Sequence, residues 1–275
     1  MPEKKILTEQ MNEDPSGIVC VYKPRGVSSF AVTRALRREL GVKKAGHAGT
    51  LDPLAEGLLI LGFGRGTKAL SSLQGLKKTY KAKFLLGTES STEDSEGDLA
   101  VQTPKARGVI KSISYRSLEK AAESFKGEIS QVPSRFSAVH FNGKRAYELA
   151  RSGKSFELEP RKVEIYSFKV GKMRSLTHSQ REGLLKKGWR GEARLVECQV
   201  CCSKGTYIRA LARDFGKDLG CGAYLFWLQR TKIGPFCLKD CAECRFKEGR
   251  LCIDRSQLEA KAMRLPSLWE RLEEK

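Results

Sequence analysis

Gly46-His47-Ala48-Gly49-Thr50-Leu51-Asp52-Pro53-Leu54-Ala55-Glu56-Gly57-Leu58-Leu59 is the stretch on which the reading of this chain turns. An acid sits in a glycine-rich loop. A proline behind it stops a helix from running through, and an apolar run then anchors the loop. Between Gly41 and Gly66 glycine recurs seven times, which implies unusual backbone geometry around a short apolar segment. On composition alone Asp52 serves equally well as a cap for the next element of the chain, and His47 as an ordinary loop histidine.

Working outward, Gly17 to Tyr22 reads as a strand stopped by Lys23-Pro24, and Ser28 or Ser29 caps a helix that Gly41 closes. Thr79 to Leu86 reads as a second strand, and Thr88 to Asp98 as a polar loop. Ser117 is placed to cap a helix with Leu118, Ala121, Ala122 and Phe125 on its inner face. Val132 to Lys154 is richer in basic and aromatic residues than a core segment. Arg161 to Val170 reads as a strand, and the polar, basic insert Gly171 to Arg190 as a solvent-facing loop. Glu192 to Cys202 alternates as a strand, Thr206 to Leu219 has helical spacing, and Leu225 to Ile233 is a last strand. Without an internal repeat or a linker, this describes one mixed α/β domain over residues 17–236. Residues 1–16 are a polar arm and 237–275 a short extension.

The 275 residues carry 51 Lys+Arg against 32 Asp+Glu, a formal charge of +19. Such an excess suits a polyanion, because neutralised phosphates release condensed counterions. Apolar residues make up 40% of the chain, enough for a globular core and too many for a disordered tail. Neither a signal peptide nor an apolar run of membrane-spanning length is visible. The nine cysteines then suit a reducing, cytoplasmic setting with no membrane partner.

The Gly46–Gly57 segment matches the pattern Gly-His-x-Gly-x-Leu-Asp-Pro-x-Ala-x-Gly, and so resembles the catalytic motif of the TruB family of tRNA pseudouridine-55 synthases. The resemblance extends through Lys23-Pro24-x-Gly26-x-Ser28-Ser29, the Lys77-Lys78-Thr79-Tyr80 run, Pro133 to Arg151, and Cys202 to Arg209. It implies a pseudouridine synthase fold: mixed α/β, with a central, largely antiparallel sheet, flanking helices and an RNA-gripping insertion. There are departures. Ser90 and Ser91 stand where the family has threonine and aspartate, Phe136 replaces a tyrosine, and Gln229 interrupts a Leu-Arg-Arg run that leaves Arg230.

The resemblance implies that Asp52 is the catalytic carboxylate, paired with Arg209. Tyr80 and Leu228 would line the uracil pocket, and His47 would fill the space of the flipped base. Lys23, Arg135, His140, Lys144 and Arg145 would contact RNA. The partner implied is the T-arm of tRNA, with no obligate protein partner. Breaking the glycosidic bond, turning the uracil and rejoining it through carbon oxidises nothing, so no cofactor and no metal is expected. Two rivals carry different functions: a dyskerin-like synthase directed by a guide RNA, and a non-catalytic RNA chaperone on the same fold. The shortness of residues 237–275, which leaves no room for a full RNA-binding PUA domain, weighs against the first. An intact Asp52, Tyr80 and Arg209 weighs against the second. Gly62-x-Gly64-x-Gly66 fits no phosphate-loop spacing; Cys237, Cys241, Cys244 and Cys252 read first as plain thiols, and their irregular spacing leaves a structural zinc as the open alternative.

Overall fold

The computed structural model describes residues 15–273 except 138, 142 and 153–155, and leaves the side chains of His140, Arg145 and Arg151 undescribed. The polar arm therefore lies almost wholly outside the described residues. Two compact units emerge, one of residues 1–80 with 229–275, the other of residues 81–228.

The first unit starts with β1 (Gly17–Lys23), α1 (Ser29–Leu40), β2 (Ala45–Ala48), β3 (Glu56–Phe63) and α2 (Leu70–Gly75). Strand β4 (Lys78–Leu86) begins here and continues into the second unit. Ser28 caps α1 by accepting from the Ala31 amide, and Gly41 ends it in the left-handed region at φ 67°. β1 and β2 both lie antiparallel to β3.

The second unit holds α3 (Pro104–Ser112), α4 (Tyr115–Ser124), β5 (Gly127–Gln131) and a short hairpin of β6 (His140–Phe141) and β7 (Lys144–Arg145). Then come α5 (Ala146–Arg151), β8 (Arg161–Arg174), α6 (His178–Lys186), β9 (Arg194–Cys202), α7 (Ile208–Asp218) and β10 (Ala223–Ile233). Its strands run in the order β10-β4-β9-β8-β5. Strand β10 ends in the first unit, where it pairs parallel with β3 through Gln229↔Glu56 and Arg230↔Gly57. The chain finishes there with β11 (Phe236–Cys237), β12 (Cys244–Lys247), β13 (Arg250–Ile253), α8 (Arg255–Lys261) and α9 (Leu265–Glu273). The sheet is mixed and mostly antiparallel, as expected.

In the first unit both sheet faces are covered, which explains why β1 and β3 read as unbroken apolar runs and not as alternating ones. Val19, Val21, Leu59 and Leu61 pack with Val32 and Leu36 of α1. Ile18, Cys20, Leu58 and Ile60 face the other way, onto Leu73 and Phe236. The extension supplies part of both layers: Ala242, Ile253 and Leu258 in one, Cys241 and Leu268 in the other. At roughly 2 kcal/mol per buried aliphatic side chain, it is a structural component of this unit.

The second unit centres on Phe84, Phe168 and Phe215, whose ring centroids lie 5.3–6.1 Å apart, with Phe125 of the α4 C-cap beside them. Two expectations need correction. The α4 cap is Ser114; Ser117 is its capping-box partner one turn inside the helix. The insert Gly171 to Arg190 is not a solvent-facing loop: β8 continues to Arg174, α6 comes next, and Leu184 and Trp189 pack with Leu85, Leu195 and Tyr224. Sparse apolar residues in a basic stretch hid that helix, since one leucine and one tryptophan suffice to dock it.

Candidate active site

In the first unit the Asp52 loop is held by groups that meet its main chain. The Ser29 hydroxyl, buried at the start of α1, accepts from the Leu51 amide and donates to the Leu51 carbonyl, both at 2.9 Å. Arg230, 1% exposed, donates to the carbonyls of Leu58 at 2.8 Å, Gly49 at 2.9 Å and Thr50 at 3.5 Å. Lys23, fully buried, donates to Val27 at 2.8 Å, Pro24 at 3.0 Å and Pro53 at 3.4 Å. Burial pulls the Lys23 ammonium down to about 8, against the stabilising charge of Asp52; Arg230 lowers it further. The Ala55 amide closes the turn on the Asp52 carbonyl at 3.1 Å.

Two glycines make this packing possible. Gly49 takes φ +76°. Gly57 takes φ +106°, and a β-carbon there would stand 2.3 Å from the Arg230 carbonyl oxygen. Only a residue without a side chain lets β3 approach β10 at this point.

His47 sits on β2, with Nδ1 3.2 Å from the Thr33 hydroxyl and Nε2 3.2 Å from the Thr50 hydroxyl. Burial, then the charge of Arg230, lowers its pKa, so the ring is neutral at neutral pH and suited to stacking. Tyr80 is buried on β4. The neighbouring Lys78 donates to the carbonyls of Gln74 and Leu76. Gln229, the departure from the family run, donates to the Tyr22 hydroxyl at 3.2 Å.

In the second unit Arg209 opens α7 and is 4% exposed. Its guanidinium lies 3.7 Å from Asp94 Oδ2 and donates to Ser134 Oγ at 3.2 Å and the Phe136 carbonyl at 3.1 Å. That last acceptor is main chain, so replacing tyrosine by Phe136 leaves it intact. One turn on, Arg213 donates to Glu93 Oε1 at 2.5 Å and to the Val132 carbonyl at 3.0 Å. The two arginines thus form parallel rungs, each joining the acidic loop to the root of the insertion. Burial raises the pKa of Glu93, with Arg213 opposing. The sequence reading of Thr88 to Asp98 as a polar loop assigned no role to Glu93 or Asp94, and it missed Arg213. The signal was present: arginines four apart on a helix, and adjacent acids in a polar loop.

Leu228 is buried on β10. Arg135 stacks over Phe156 at 4.9 Å, and Lys144 is exposed on β7. The side chains of His140 and Arg145 lie outside the described residues. The insertion has a small core of its own, Val139, Ala146 and Leu158. Cys241 and Cys244 are buried in opposite layers of the first unit, and burial pushes both thiols up to about 12. Among the described residues no group of ligating side chains has metal-holding geometry.

Comparison with known proteins matches residues 37–208 to the N-terminal domain of TruB family pseudouridylate synthases. The chain belongs to the TruB family. A tRNA pseudouridine synthase B of Bifidobacterium longum (strain DJO10A) is 42% identical over 255 residues, covering 84% of this chain and 66% of that protein. The chain therefore spans just under two thirds of that relative's length. One from Mycobacterium sp. (strain KMS) is 44% identical over 224 residues, covering 82% of this chain and 69% of the relative. Among solved structures, a chain from a Cbf5-Nop10-Gar1 complex is 26% identical with a TM-score of 0.56, covering 82% of this chain and 52% of that one. The expected pseudouridine synthase fold is the fold found.

Proposed function

We propose that this protein is a tRNA pseudouridine synthase that isomerises a uridine of the T-arm, with Asp52 as its catalytic carboxylate. The observation that carries the reading is the Gly46–Gly57 loop, which keeps every position of the family motif while Ser29, Lys23 and Arg230 pin the main chain on either side of Asp52. Pinning matters because a misplaced carboxylate loses the advantage of orientation. The stand-alone tRNA reading rests on relatives at 42–44% identity, against 26% for the Cbf5 chain.

In this reading the target base leaves its stack. Tyr80 and Leu228 receive the uracil, and neutral His47 fills the gap in the RNA. Arg209, held by Asp94, pairs with Asp52 as the family resemblance implies. Asp52 then either bonds to the sugar carbon as the glycosidic bond breaks and is released when the turned uracil bonds there through carbon, or takes a sugar proton that is returned as that bond forms. In both routes the uracil carbon loses its proton to solvent and the freed ring nitrogen gains one. The basic surface, including Arg135 and Lys144, grips the folded arm, and the substrate implies a cytoplasmic location.

The test is pseudouridine formation in an isolated T-arm stem-loop. The wild-type protein is expected to modify it nearly as well as whole tRNA. Asp52→Asn should lose at least about 1,000-fold in turnover while binding the stem-loop within about threefold of wild type. Turnover by a clean Asp52→Asn preparation would remove the residue from its role.

A further inference from the structure

The second unit has a solvent-facing sheet surface, turned away from the Phe84–Phe168–Phe215 core and therefore from α7 and Arg209. It carries Lys81 and Lys83 on β4, Glu197 and Gln199 on β9, Lys169 on β8 and Trp227 on β10. An exposed face of alternating charges is ordinary. This one is hollow: these side chains line a cavity of about 390 Å3.

The hollow has a local cause. Val170 pairs with Cys198 but Met173 with Val196, so β8 contains one extra residue in the bulge around Gly171. Gly171 has no side chain to cover the neighbouring strand, and a β-carbon there would lie 3.3 Å from the Glu197 carbonyl oxygen. A bulge and a glycine inside a strand open room where something else can approach the sheet.

The walls specify the chemistry. Trp227 offers an indole at the cavity, with the Lys83 ammonium 5.3 Å from its ring centroid. The one acid, Glu197, is matched by Arg174 at 3.4 Å and Lys83 at 4.0 Å. Lys81 and Lys169 are exposed, and neither has an ion-pair partner among the described residues. A flat aromatic platform with two uncommitted cations suits a ligand that is both planar and anionic. We infer that this cavity is a nucleotide-binding site for single-stranded RNA, the base stacking on Trp227 and its phosphates meeting Lys81 and Lys169. A strand fits better than a free nucleotide because the rim residues Lys81, Lys169, Gly171 and Gln199 are all exposed, leaving neighbouring nucleotides a path. Stacking on an aromatic side chain tolerates any base, so the site reads single-strandedness and not sequence. It would hold RNA outside the isomerised arm, and it does not depend on the chemistry at Asp52.

The protein has three tryptophans, so its indole N–H resonances report the site directly. Hexa-adenylate RNA titrated into isotope-labelled protein is expected to shift the Trp227 indole resonance to saturation and leave buried Trp189 in place. Gly171→Val fills the hollow and should weaken that shift about tenfold with Trp189 unmoved. If the valine disturbs the Trp189 resonance, Lys81→Ala with Lys169→Ala replaces it, and the same weakening is required. A Trp227 resonance that never moves, variants that bind as well as wild type, or adenosine monophosphate saturating as tightly as the hexamer would each overturn the inference.

Discussion

Two cations in each unit are satisfied in different ways; Lys23, Arg230 and Arg209 are buried, and Arg213 is partly exposed. In the first, Lys23 and Arg230 donate to main-chain carbonyls, six in all. In the second, Arg209 and Arg213 meet the carboxylates of Asp94 and Glu93. Carbonyl oxygens fix backbone shape without cancelling charge, and the nearby Asp52 charge stabilises the Lys23 ammonium, so the Asp52 loop is moulded around these cations. Carboxylates cancel charge and fix side-chain direction, so Arg209 is aimed. One device sets the path of a loop and the other the orientation of a single guanidinium.

The comparison predicts where each device breaks. The largest effect belongs to Gly57→Ala, which sets a methyl against the Arg230 carbonyl in a left-handed backbone. It should cost about 5 kcal/mol in a denaturant titration, with activity lost even where the chain stays folded. A loss under about 1 kcal/mol would show that β3 and β10 have slack, and that the carbonyl cage is not rigid.

Next comes Asp94→Asn, which takes the Asp94 carboxylate away from buried Arg209 and should cost about 4 kcal/mol. Turnover should fall further than stem-loop binding, because aim rather than grip is lost. Arg230→Met provides the contrast, with turnover and folding falling together. If both variants showed the same balance of lost turnover and lost stability, the distinction between moulding and aiming would fail.

The smallest effects are in pH, and they have opposite signs. The folded pKa of Lys23 is depressed from 10.5 to about 8. Between those values the unfolded chain binds more protons, so stability should rise with pH through that window, by on the order of 3 kcal/mol. Glu93 is raised above 4.5. Just above that value the folded state binds more protons, so its contribution falls as pH rises. Subtracting the stability profile of Lys23→Met, or of Glu93→Gln, from that of the wild type isolates each slope. A Lys23 difference that is flat between pH 8 and 10.5 would mean that its ammonium is not desolvated.

Much of this was legible from residues alone, where the cause is local. Ser28 and Gly41 bound α1 because a hydroxyl and a left-handed glycine satisfy helix ends within a few residues. The Asp52 loop was readable because glycine and proline restrict the chain wherever they stand. The α4 cap was misplaced by one turn because Ser114 and Ser117 are both good caps, and the capping box uses both. The insert 171–190 was misread because its docking depends on an apolar pocket made by distant strands.

By itself, the sequence determined the ends of α1, the strands near residues 17–22, 79–86, 161–170, 192–202 and 225–233, the basic character and the family motif around Asp52. Only the tertiary structure decided that Lys23 and Arg230 mould the loop, that Asp94 and Glu93 hold the arginines of α7, and that residues 238–272 supply part of both layers of the first unit. The reason is physical: caps and turns act between neighbours along the chain. A carbonyl oxygen has no side-chain identity, so which cation it will meet is written nowhere until the fold brings them together.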